Sequence, residues 1–160
     1  MASFTGMRRG AVSLMVMVAL LLAGGGGAGF AQQGPAPFHG DIEKLAKQNR
    51  DFRRVLFTGA HTQVVAMSIA AGQVIGAESH PVDQCFFFVE GEGESVVAGK
   101  TGKVQDDDVL CVPAGMEHNV RNTGRKALKL YTLYSPPQHP PGTVHHTKAD
   151  AEAAEAQHAR

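Results

Sequence analysis

From Gln63 onward the chain is dominated by short apolar and β-branched runs cut by Gly, Asp or Pro. Gln63-Val64-Val65-Ala66-Met67-Ser68-Ile69, Cys85 to Glu90, Ser95 to Ala98, Val109 to Pro113, His118 to Asn122 and Leu128 to Ser135 each read as a β-strand. Their close spacing favours an all-β sandwich or barrel over a parallel sheet with crossover helices. Helical patterning is confined to the flanks. A short pattern around Asp41 to Asn49 follows the Pro-rich lead-in Gln33 to Gly40, and an Ala/Glu-rich stretch runs from Ala149 to Ala159. The second lacks a strong apolar face, which suits a surface helix or a frayed end. Pro136-Pro137 and Pro140-Pro141 close the last strand. There is no internal repeat.

Hydrophobicity is organised differently at the start, where Arg8-Arg9 precede an apolar stretch from Ala11 to Ala23 and then a run of small residues. This is the layout of a secretory signal, with Gly29 and Ala31 placed before a cut at Gln32. The apolar stretch is short for a bilayer span, so no stable membrane anchor is expected after cleavage. The expected organisation is a signal peptide over residues 1–31, a lead-in and first strand over 32–62, a barrel over 63–136, and a tail with a short helix over 137–160. A periplasmic or secreted location follows. The remaining length suits one domain with one core.

All fifteen acidic residues but only thirteen of the fifteen Lys and Arg lie after residue 31, a formal charge of −2. No basic patch points to nucleic acid. Arg50, Arg53, Arg54, Arg121, Arg125 and Lys126 are read as solvated charges. The apolar run Val64 to Ala70 is a candidate interfacial strand for a homodimer. Cys85 and Cys111 are the only cysteines. Two buried thiols are the expectation, and a disulfide is the alternative in an oxidising compartment if their strands are neighbours. They lack the paired spacing of a zinc ribbon.

The chemistry lies in two segments. Glu78 and His80 stand two apart on an extended stretch, so they share a face while Ser79 points away. After a turn at Pro81-Val82-Asp83, the next strand begins with Gln84, on the same face as Phe86 and Phe88. Pro113-Ala114-Gly115 makes a second tight turn, and His118 opens the strand after it. Carboxylate, imidazole and amide oxygen are all donors to first-row metals. A lone Glu or His is more often a surface charge or a satisfied core residue, but a Glu and a His facing inward beside aromatic rings are costly to bury unless paired or coordinated. Gln84 is either a ligand or the group that fixes a histidine tautomer from behind. His61, His139, His145 and His146 are possible rim groups without assigned roles, and His145-His146 is expected to be an exposed pair. Tyr131 and Tyr134 are explained by packing, though either hydroxyl can orient a ligand.

These residues carry a resemblance to the cupin superfamily. Its first motif (Gly, five residues, His-x-His, three or four residues, Glu, six residues, Gly) is matched at Gly72, His80 and Gly91; its second (Gly, five residues, Pro-x-Gly, two residues, His, three residues, Asn) at Pro113, Gly115, His118 and Asn122. The resemblance implies a double-stranded β-helix, the jelly-roll cupin barrel, with metal at the His80 and His118 positions. Three positions depart from the motifs: Glu78 stands for a His, Gln84 for the Glu, and Asp107 for a Gly. Asp107 is read as a turn residue. The first two exchanges keep a single negative charge among Glu78, His80, Gln84 and His118 but replace a nitrogen donor by oxygen, which favours Mn, Fe or Zn over copper. Phosphomannose isomerases of the same superfamily use a similar mix of donors on zinc.

The expectation is therefore an exported mononuclear metal-binding cupin, acting as an isomerase or lyase on a small oxygenated molecule such as a sugar, keto acid or enediol. Glu78 would serve both as ligand and as catalytic base. Export and the lack of a Lys/Arg cluster near the motifs disfavour a phosphosugar. The alternatives are a non-haem dioxygenase, a non-catalytic metal or sugar sensor, and a jelly roll with a vestigial site.

Overall fold

A computed structural model describes residues 36–158. The expected signal peptide lies outside the described residues. Among the described residues nine strands and two helices follow in order: α1 (Ile42–Gln48), β1 (Arg53–Thr58), β2 (Gln63–Ile69), β3 (Asp83–Glu90), β4 (Glu92–Val97), β5 (Lys100–Gln105), β6 (Val109–Val112), β7 (His118–Asn122), β8 (Leu128–Ser135), β9 (Val144–His145) and α2 (Lys148–His158). A six-stranded sheet has the order β6-β3-β8-β2-β1-β9, and a three-stranded sheet the order β5-β4-β7. The large sheet thus continues past residues 63–136 on both sides, through β1 and β9. Among the described residues no helix is long and apolar enough to cross a membrane.

Strand alternation builds the interior. In β8, Leu128, Leu130, Thr132 and Tyr134 are buried while the residues between them are half-buried. Gln84, Phe86 and Phe88 are buried on the inward face of β3, as the period of two requires. With Val65, Met67 and Ile69 of β2 and Val104 and Val120 of the small sheet they form one core. Each large apolar side chain contributes about 1.5–3 kcal/mol on burial. On the outer face α1 covers β2, β3 and β8, and Lys129 Nζ reaches across to donate to Ser68 Oγ at 2.9 Å. The run Val64 to Ala70 is largely consumed here, since Val65, Ala66, Met67 and Ile69 are buried within the chain.

Three sequence expectations are corrected. Cys85 and Cys111 form a disulfide, because β3 and β6 are antiparallel neighbours whose register sets the two residues opposite each other; neither is in the buried core. Arg53 is 3% exposed rather than solvated, since it shares the inward face of β1 with Val55. His145 is half-buried, whereas His146 is exposed and pairs with Asp51 at 2.6 Å. The strand β5 escaped the hydrophobic reading because Val104 is its only buried residue.

Candidate metal centre

The small sheet is extended by residues 74–78, which run antiparallel to β7 through bridges Val74–Arg121 and Glu78–His118. Glu78 N donates to His118 O at 3.0 Å and His118 N to Glu78 O at 2.9 Å, so the two side chains emerge side by side. His80, two residues on, keeps the same face. Its carbonyl accepts from Gly115 N at 2.7 Å, and Asp83 Oδ1 accepts from Ala114 N at 2.9 Å. The Pro-x-Gly turn is thus pinned to the segment that carries Glu78 and His80. Met116 N closes that turn on Pro113 O at 3.2 Å, and Gly115 has φ +79°, the conformation that the third residue of a type II turn demands.

Glu78, His80 and His118 each present a ligand atom within 4.8 Å of the others, a grouping that can hold a metal ion. Glu78 Oε1 lies 3.3 Å from His80 Nε2 and 3.5 Å from His118 Nε2. Gln84 joins them, with Oε1 3.0 Å from His118 Nε2. Behind the cluster, Gln84 Nε2 donates to Tyr134 Oη at 2.9 Å. Phe86 meets the His118 ring edge-on. All four residues expected from sequence therefore converge, with Gln84 1% exposed and His118 3% exposed.

With the Gln84 amide oxygen turned toward His118, the donor set calls for a cation. His118 Nδ1 lies 3.0 Å from Met116 O, an acceptor, so this nitrogen carries a proton and Nε2 faces the cluster. There it meets two oxygens, Glu78 Oε1 and Gln84 Oε1, neither of which has a proton to give. A neutral Nε2 would set three lone pairs against one another. Either a second proton on His118 or a metal ion resolves this. His80 Nε2, also buried, faces Glu78 Oε1 at 3.3 Å and makes no hydrogen bond. Burial opposes the charge on Glu78, but the His118 and His80 contacts prevail and hold its carboxyl at about 2. Burial likewise works against an imidazolium at His118, and the Glu78 hydrogen bond overcomes it to raise that group. Burial, reinforced by the Glu78 charge, keeps Tyr134 a phenol.

The cluster opens onto a cavity of about 580 Å³, whose walls include Glu78, His80, Arg53, His139, His145 and Glu155. Sequence reasoning left Arg53, His139 and His145 without roles at the site. The loop bearing His139 is held by Gln63, whose Oε1 accepts from His139 N at 3.0 Å and whose Nε2 donates to His139 O at 2.7 Å. His139 packs edge-on against Tyr134. Burial, with the Arg53 and His80 charges added, pushes it down to about 3, so it is neutral throughout the working range. The signal that could have found Arg53 is its place in Arg53-Arg54-Val55-Leu56-Phe57, where strand alternation puts it on the face of Val55. No such period marks His139, which lies among prolines.

A Cupin domain family model matches residues 65–134. Over 130 residues the chain is 51% identical to the uncharacterized protein YrkC of Bacillus subtilis, spanning 76% of this chain and 69% of that protein. The chain belongs to the cupin family. The crystal structure of BH2720 from Bacillus halodurans has 50% sequence identity and a TM-score of 0.73 to this cupin, covering 75% of it and 96% of BH2720. Polyketide synthase CurC of Streptomyces cyaneus is 30% identical over 118 residues, 71% of this chain and 75% of CurC. The fold is the double-stranded β-helix of cupins, with short helices at its ends.

The departures from the cupin motifs now have physical readings. Asp107 adopts φ +69°, so it occupies the left-handed turn position a glycine would otherwise fill, and Asp is among the residues that tolerate it. Glu78 and Gln84 fall at the cluster itself and exchange donor type. Asn122 is a latch rather than a ligand. Its Nδ2 donates to Ile69 O at 2.8 Å and Lys126 O at 2.7 Å, and its Oδ1 accepts from Gly124 N at 2.9 Å.

Proposed function

We propose that this cupin is an exported mononuclear metalloenzyme that acts on a small oxygenated molecule, a sugar, keto acid or enediol, by isomerase or lyase chemistry. The observation that carries the reading is the convergence of Glu78, His80, His118 and Gln84 Oε1 on one point in the wall of a cavity. Two imidazoles, one carboxylate and one amide oxygen suit Mn, Fe or Zn. Such an ion, when bound, supplies Lewis acidity to a carbonyl or hydroxyl oxygen.

The protein's own groups do the rest. Tyr134 fixes the Gln84 amide and Met116 O fixes the His118 tautomer, so the donors are aimed before anything binds. Glu78, ionised down to about pH 2, has low proton affinity, so as a base it would serve only toward a strongly acidic C–H or O–H. His139, held neutral, offers a hydrogen bond without adding charge to the cavity wall. A relative named for polyketide synthesis is in keeping with a carbonyl-rich ligand.

Two His and one carboxylate are also the donor set of non-haem iron oxygenases, which makes dioxygen insertion the second reading. Anaerobic purification with elemental analysis, followed by dioxygen-uptake and isomerisation assays on a panel of keto acids, enediols and sugars, separates the two. Turnover without oxygen consumption is the expected result. Oxygen consumption coupled to substrate loss in the iron form would replace it with the second reading, and absence of turnover in every metal form would leave a binding protein.

A further inference from the structure

Arg53 is a buried cation whose visible partner does little to justify its burial. It lies on β1 between Met67 of β2 and His145 of β9, is 3% exposed, and lines the same cavity as Glu78 and His80. Desolvating a guanidinium is expensive unless an anion sits against it. The anion in hydrogen-bond contact with it is Glu155 of α2, one of whose oxygens accepts from Nη1 at 2.8 Å. The Glu155 side chain is 58% exposed, so this pair is screened on one side and readily exchanged. Arg53 Nε, also buried, makes no hydrogen bond. One edge of a planar donor fork that matches carboxylates is therefore unsatisfied.

The rest of the wall repeats the pattern. Among the described residues, five have a buried side-chain nitrogen or oxygen without a hydrogen-bond partner, and four of them, Arg53, His80, His139 and His145, line this cavity. Buried polar atoms are normally satisfied, so their concentration here marks a surface shaped for a polar guest. Burial and the Arg53 charge lower both His139 and His145, so the guanidinium is the fixed positive charge beside these two imidazoles. A volume of about 580 Å³ is in the range of small-molecule sites.

We infer that this cavity recognises a small carboxylate, with Arg53 as its counter-ion and Glu155 as the internal carboxylate that the ligand displaces. The inference rests on the metal-centre reading above and narrows its substrate class to keto or hydroxy acids: the carboxylate meets Arg53 while a carbonyl or hydroxyl oxygen faces Glu78, His80 and His118. Glu155 shows that a carboxylate fits against the guanidinium. A single cation with no second Lys or Arg in the wall suits a monoanion better than a phosphate. Arg53 is here a binding residue, and α2 carries the competitor.

The test is calorimetric titration of the metal-loaded full chain with pyruvate and with pyruvamide, which keeps the keto oxygen but lacks the charge. Pyruvate should bind more tightly by about 10- to 100-fold, the worth of a charge-assisted pair in a desolvated site. Glu155→Gln should tighten pyruvate by roughly 3- to 10-fold, since it weakens the competitor, and leave pyruvamide unchanged. Arg53→Gln should abolish the preference. Because Arg53 is buried and its loss can compromise folding, the exposed Glu155→Gln variant decides independently. Equal binding of the two probes by the wild type, or no gain with Glu155→Gln, overturns the inference while normal metal content leaves the metal reading intact. A wild-type protein that takes up no metal overturns both.

Discussion

Replacing Glu78 by Gln in the metal-free protein isolates the charge that holds the cluster together. The carboxyl is lowered from 4.5 to about 2, a difference worth about 3 kcal/mol at 1.36 kcal/mol per unit. With the side chain only 18% exposed, solvent screening removes little of this. The sign follows from the direction of the shift. A depressed carboxyl stabilises the folded state fully above its unfolded value, here about 4.5, and loses that contribution as pH falls toward the folded value near 2. The unfolding free energy of wild type and Glu78→Gln, measured in urea with chelator, should therefore differ by an amount that shrinks by about 2 kcal/mol between pH 7 and pH 3. An offset between the two proteins that stays constant with pH would refute the pairing of Glu78 with His118 and His80.

Three further outcomes are expected. Gln84→Glu adds a second anion beside His118 and should tighten divalent-metal binding by about tenfold, measured by competition with a chromophoric chelator; unchanged affinity would place Gln84 outside the coordination sphere. Reducing the Cys85–Cys111 disulfide, with its sequence separation of 26, should cost about 3.5 kcal/mol in urea unfolding by the loop-entropy relation. Gly93→Ala would drive a Cβ into Arg121 O where β4 passes β7, and should lower stability by about 1–3 kcal/mol in the same assay; a neutral result would contradict the close approach of those strands.

Strand periodicity made the central sheet legible. Leu128–Ser135 alternates over eight residues with one face buried, and Gln63–Ile69 does so except at Ala66, which is the condition under which pattern reading works. It failed where burial does not alternate. In β5 the residues other than Val104 face solvent, and β9 has only two residues. The metal-ligand candidates were legible for a different reason. Glu78, His80 and Gln84 lie close in sequence on one face, and the Pro113-Ala114-Gly115 turn that brings His118 to them is written in residue types that fix its geometry.

The cavity wall opposite the metal centre was not legible. Arg53, His139, His145 and Glu155 come from segments nearly a hundred residues apart, and they meet only because β9 pairs with β1 and α2 folds over that edge. A doublet such as Arg53-Arg54 looks solvated until the register shows that one member points inward and the other out. The disulfide belongs to the same class, since it depends on β6 pairing with β3, a non-local contact that two isolated cysteines do not announce.

Elemental analysis of protein purified anaerobically under native conditions bears most directly on the metal centre proposed at Glu78, His80, Gln84 and His118. About one divalent ion per chain is expected, with a thermal transition lowered by chelator and both effects absent in His118→Ala. Protein free of metal after reconstitution with Mn, Fe and Zn, whose stability chelator leaves unchanged, would contradict it.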